Sequence, residues 1–131
     1  MARKPVFYEV AGENMTLVDF WAVWCKPCVL SIPKMNSIFD EYKEKGVHLV
    51  GINVDGPRNQ SKVKPFVLSK KISYTILLDP EQEIMQLLNV SSLPTLLLIN
   101  HKKEVVWRHE GFQPGDEYLI KQALDKHLEN K

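Results

Sequence analysis

The stretch Leu17-Val18-Asp19-Phe20-Trp21-Ala22-Val23-Trp24-Cys25-Lys26-Pro27-Cys28 decides how this chain is read. Thr16 to Ala22 is apolar except for Asp19, and Val18, Phe20 and Trp21 suit a strand buried on both faces. From Lys26 the pattern turns helical: Val29, Ile32, Met35, Ile38, Phe39 and Tyr42 recur at steps of three and four to about Lys45. Cys25 and Cys28 therefore stand where a strand gives way to a helix. The N–H groups and positive dipole end of a helix N-terminus favour a thiolate over a thiol there. Two sulfurs so placed can make and break a disulfide. The residues alone also admit a structural disulfide or half of a zinc site. Zinc would need two more ligands, and His48, His101, His109 and His127 show no paired spacing.

Outward from this stretch the chain alternates. Val6 to Val10 predicts a short first strand. Pro33 falls inside the helix, where it must kink it, and Gly46 is placed to end it. Val47 to Val54 predicts a second buried strand and 55–60 a loop. Val63 to Lys71 predicts a helix and Tyr74 to Leu78 a strand. Asp79 and Pro80 predict the N-cap and first position of a helix reaching about Leu88. Thr95 to Ile99 and Glu104 to His109 predict a hairpin, so the sheet is mixed. Asp116 to Leu128 closes as a helix buried along Leu119, Ile120, Ala123, Leu124, His127 and Leu128. The expected architecture is a single α/β domain over residues 1–131, a central mixed β-sheet with helices on both faces.

Composition narrows the function. The 131 residues hold 44% hydrophobic and 25% charged side chains, ordinary for one globular domain with a real core. A net charge of +1 gives no reason to expect nucleic acid or an anionic membrane as partner. No apolar run approaches the ~20 residues that span a bilayer, so no membrane insertion by this chain is expected. Met1-Ala2-Arg3-Lys4-Pro5 is basic without an apolar stretch behind it, and is not an intact secretory signal. That leaves a cytoplasmic protein or a mature form without its signal or anchor.

The Leu17–Cys28 stretch resembles the thioredoxin active-site segment. Pro33 stands at that family's helix kink. Ser92-Leu93-Pro94-Thr95 followed by Leu96-Leu97-Leu98-Ile99 resembles its cis-proline loop and following strand, and Val50-Gly51-Ile52-Asn53-Val54-Asp55 its central strand. The added segment from about Gly56 to Leu78, an extra inserted helix and strand, resembles the TlpA/ResA-like branch, whose members mostly work outside the cytoplasm and are often membrane-tethered. Lys26-Pro27 stands where thioredoxin has Gly-Pro, and Gly51 where it has a lysine facing its buried aspartate. The resemblance implies a thioredoxin fold and a thiol–disulfide oxidoreductase, a reductase more than an oxidant. It needs no cofactor or metal, works as a monomer, and meets protein disulfide substrates and a dithiol electron donor.

Within that frame each residue has an expected part. Cys25 is the exposed nucleophile and Cys28 the shielded sulfur that resolves the mixed disulfide. Lys26 adds positive charge beside Cys25, which stabilises the thiolate and makes the couple more oxidising. Pro27 stiffens the motif at a position where its missing N–H costs nothing. Asp19, a carboxyl in an apolar strand, should have a raised pKa and accept the Cys28 proton. Trp24 caps the cysteines and forms substrate surface, while Trp21 packs beneath them and Trp107 is structural. Pro94 is expected to be cis, and Leu93 to offer its backbone to an extended substrate. Two other readings stay open: a peptide-binding module with the disulfide as a staple, and a peroxiredoxin-like peroxide reductase, which the paired cysteines argue against.

Overall fold

The computed structural model describes residues 15–129; the expected strand Val6 to Val10 lies outside them. Five strands, β1 (Met15–Trp21), β2 (Val47–Asn53), β3 (Thr75–Leu78), β4 (Thr95–Asn100) and β5 (Val105–Glu110), form one sheet in the order β3-β2-β1-β4-β5. β1 pairs parallel with β2, and β2 with β3. β4 runs antiparallel to β1 and β5, so the sheet is mixed as the hairpin implied. All seven residues of β1 are buried, because the strand is central and covered on both sides.

The helices are α1 (Lys26–Tyr42), α2 (Gln60–Ser69), α3 (Glu83–Leu87) and α4 (Asp116–Glu129). α1 and α4 share one face: Met35, Ile38 and Tyr42 meet Ile120 and Leu124 over Leu17, Leu49, Leu96 and Leu98. A hydrogen bond of 2.7 Å from the Tyr42 hydroxyl to Asp125 Oδ1 ties the two helices. α2 follows α1 in the same direction across successive parallel strands, and right-handed crossovers keep both on one side. Asn36 of α1 accordingly bonds the chain after α2, donating to the Lys71 carbonyl at 3.1 Å and accepting from the Ser73 N–H at 2.9 Å. Ile84, Met85 and Leu88 pack against the cluster containing Val18, Phe20, Val50, Ile52, Leu97 and Ile99, the side chains alternating with those of the α1 face.

Several boundaries differ from expectation, each for a local reason. The last turn of the first long helix tightens into a 3₁₀ segment, Lys43–Lys45, before Gly46 ends it at φ 86°. Asp79 is not the N-cap of α3. The chain first turns through Gln82 at φ 58°, and the helix starts at Glu83. Asp79 still caps it from a distance, its carboxylate accepting the N–H groups of Ile84 at 3.2 Å and Met85 at 2.9 Å. In α4 the buried stripe is Ile120, Ala123 and Leu124, while Leu119 is exposed. The inserted helix and strand appear as α2 and β3, where β3 forms the edge of the sheet beside β2.

Candidate active site

The end of β1 and the start of α1 meet in four residues, 22–25. Trp21 accepts at its carbonyl from the Val54 N–H at 2.9 Å, and the Cys25 N–H donates to the Ala22 carbonyl at 3.2 Å, closing a tight turn. Cys25 is then the N-cap of α1, with extended backbone at φ −86° and ψ 105°, and its Sγ accepts from the Cys28 N–H at 3.4 Å. A sulfur in the N-cap position holds the Cys28 N–H and faces the positive dipole end of α1, with no acidic side chain in the first turn to oppose it. Pro27 sits in that turn, where no intrahelical donor is required of it.

Cys25 and Cys28 form a disulfide with 5.3 Å between their Cα atoms. The expectation of an exposed Cys25 is corrected. It retains 4% exposure against 1% for Cys28, because the turn folds it against the core. Its neighbours are open instead: Trp24 is 65% exposed, and Lys26 and Pro27 lie on the surface. Trp24, Lys26 and Pro27 are thus the exposed residues beside the sulfurs in the chain. Trp21, by contrast, is buried in the cluster that holds both cysteines, 5.8 Å from the ring of Phe66. Trp107 stacks on His109 in β5, away from the motif, with ring centroids 5.7 Å apart.

The Leu93–Pro94 peptide is cis. Leu93 packs, partly buried, against the same cluster as the cysteines. Its loop is fixed by Thr95 Oγ1 donating to the Ser92 carbonyl at 2.7 Å and by the Gly111 N–H donating to the Pro94 carbonyl at 2.8 Å.

Asp19 is buried in β1 opposite Gly51 of β2. It alternates with Leu17 and so lies on the face that carries α1. Burial pushes its pKa up to about 8. Its Oδ1 and the Trp21 Nε1 are the buried side-chain polar atoms left without a hydrogen bond among the described residues. Gly51, its register partner, is closely packed. A Cβ there would meet Ile76 Cδ1 at 2.9 Å, and Trp21 Nε1 and Tyr74 Cε2 each at 3.1 Å. Aromatic rings occupy the space, and no side chain from position 51 can reach Asp19. Burial, with the charge of Asp19 adding to it, also raises the pKa of the Tyr74 hydroxyl. Neither Tyr74 nor this filling of Gly51 was read from the sequence, since the contacts join three strands.

A sheet of this order with a disulfide at the N-terminus of the first helix after a central strand defines a thioredoxin-fold thiol–disulfide exchange protein. A model of the AhpC/TSA family matches residues 5–108, and the chain belongs to that family as a TlpA/ResA-like member of the thioredoxin superfamily. It is 35% identical over 122 residues to the thiol-disulfide oxidoreductase ResA of Bacillus thuringiensis subsp. konkukian, an alignment covering 91% of this chain and 69% of that protein. A crystal structure from Chlorobium tepidum, described as a thiol:disulfide interchange protein DsbE, superposes with a TM-score of 0.83 at 32% identity, covering 88% of this chain and 81% of that one. StoA from Bacillus subtilis gives 0.74 at 29% identity over 84% and 81% of the two chains. The protein is a thiol–disulfide oxidoreductase, with other proteins as its substrates and redox partners.

Proposed function

We propose that the chain reduces protein disulfides outside the cytoplasm, as a monomer recharged by a partner dithiol. The observation that supports the exchange chemistry is Asp19, a buried carboxyl with one unbonded oxygen on the α1 face. In the reduced protein the Cys25 thiolate attacks one sulfur of a target disulfide, forming a mixed disulfide and expelling the other target sulfur as thiolate. Cys28 then gives its proton to Asp19 and attacks Cys25 Sγ. The second target sulfur leaves as thiolate; with one proton returned from Asp19 and one taken from solvent, the products are a target dithiol and the Cys25–Cys28 disulfide. A base with a pKa of about 8 is matched to the thiol whose proton it takes, and the transfer is favoured at mildly alkaline pH. Trp24, Lys26 and Pro27 border the sulfurs, and Leu93 with Pro94 provides the ledge for an extended target segment. Resemblance to the TlpA/ResA-like branch supports the extracytoplasmic setting, which labelling of intact cells with a membrane-impermeant maleimide checks.

The reduction potential against glutathione tests the direction. A value below about −220 mV supports reduction, and one near −120 mV, the range of strong oxidants, overturns it. Insulin reduction in dithiothreitol should vanish in Cys25→Ser. Cys28→Ser should accumulate mixed disulfides, because the resolving sulfur is gone.

A further inference from the structure

The turn that delivers Cys25 is held by a residue outside the cysteine motif. Asp55 follows β2 at 0% exposure. Its Oδ2 accepts from the Val23 N–H at 2.9 Å and from Asn53 Nδ2 at 2.8 Å. Asn53 answers with its Oδ1, which accepts from the Asp55 N–H at 3.1 Å. With Trp21 tied to Val54 and Cys25 to Ala22, the path into the motif is pinned at Trp21, Val23 and Cys25. The outer side of this clamp is built by the inserted segment. Asn59 Nδ2 donates to Asp55 Oδ1 at 3.5 Å, and Gln60 Nε2 donates to the Asp55 carbonyl at 2.8 Å.

We propose that Asp55, braced by Asn53, Asn59 and Gln60, is a positioning residue for thiol–disulfide exchange: it fixes the turn at Val23 so that Cys25 stays at the N-cap of α1. The start of the inserted segment thereby tunes the reactive cysteine without touching the sulfurs. A carboxylate suits the task, since one of its oxygens must accept two donors at once. Freed from Val23, the turn lets Cys25 leave the helix-start N–H groups, and its thiolate loses stabilisation. The negative charge of Asp55 acts in the opposite sense, since removing it would favour the thiolate. The sign of the change therefore separates the tether from the charge.

The test is the pH profile of Cys25 alkylation in the reduced protein, read beside thermal melting and insulin reduction, with Asp19 and Lys26 kept in every variant. Asp55→Ala should move the alkylation midpoint up by about one pH unit and slow insulin reduction at neutral pH about threefold, since the more basic thiolate is also the better nucleophile. Asp55→Asn, whose amide oxygen can still accept from Val23, should keep the wild-type midpoint or fall below it. The double variant Asn59→Ala/Gln60→Ala should shift it upward by less. Tyr42→Phe, which cuts the bond to Asp125 on the far part of α1, should leave it unchanged. A wild-type midpoint in folded Asp55→Ala overturns the proposal, as do equal upward shifts in Asp55→Ala and Asp55→Asn. Should Asp55→Ala fail to fold, the double variant decides, and a wild-type midpoint there overturns the proposal. It rests on the exchange chemistry of Cys25, whose own failure would show separately as a wild-type protein inert toward insulin.

Discussion

Asp19 and Asp55 are both buried aspartates beside the cysteine motif, and they are treated in opposite ways. Asp55 accepts from a backbone N–H and two asparagine side chains. Asp19 keeps an oxygen without a hydrogen bond, and its proton is held to about pH 8. A carboxylate surrounded by donors is a fastener, because its bonds compensate the loss of water. One without them stores the cost of desolvation as a raised pKa, which brings its titration close to that of a thiol. Burial alone does not separate scaffold from chemistry; the donor count does.

The contrast is most exposed to Asp19→Asn. The native chain holds the Asp19 proton up to about pH 8, whereas the unfolded chain releases it near 3.8. The native state therefore binds the extra proton between those values, and stability falls as pH climbs through that window, levelling off above about 8. Asp19→Asn should remove this loss, giving a gain on the order of a few kcal/mol at pH 9 and almost none at pH 4 by denaturant titration. The same variant should slow resolution of mixed disulfides. Equal stability of the two proteins at pH 9, with unchanged reductase rates from pH 6 to 9, would make Asp19 as inert as a fastener.

Gly51→Ala probes the aromatic wall instead of the acid. The added methyl meets Ile76, Trp21 and Tyr74 at 3.1 Å or less, so the variant should lose about 1–3 kcal/mol. Any displacement of the rings that admits water should also lower the pKa of Asp19, shifting the pH profile of the reductase rate downward. Wild-type stability would mean that the wall yields and does not set the acid's environment.

Lys26→Gly is the mildest change. Lys26 is exposed and screened, yet it adjoins Cys25 at the helix start. Its loss should lower the reduction potential by about 10–20 mV, as thiolate stabilisation in the reduced form weakens. An unchanged or higher potential would leave the tuning to the buried groups alone.

Much of this was legible in the residues. The strand before the motif, the helix after it, Gly46 as its stop, the inserted helix and strand, and the late hairpin follow local periodicity and turn chemistry. The cis peptide at Pro94 came only through the resemblance, since X-Pro bonds are mostly trans and nothing local marks this one. Leu119 was misplaced because a helical stripe says which side is apolar, not how wide the covered strip is. Asp79 looked like an N-cap, and its carboxylate does cap α3, but the chain spends an extra turn before the helix begins.

By itself the order of residues determined that two sulfurs stand at a strand-to-helix junction with a single acid in the strand before them, because these are relations between neighbours in the chain. Only the tertiary structure decided what surrounds each aspartate. Asp55 appears in the sequence as the first residue of a loop, and Gly51, by the resemblance, as a missing lysine. Their meaning comes from Val23, Trp21, Tyr74 and Ile76, which lie elsewhere in the chain and are brought together by the pairing of β1, β2 and β3. Solvation of a buried charge depends on every group within a few ångströms, and no spacing along one strand contains that information.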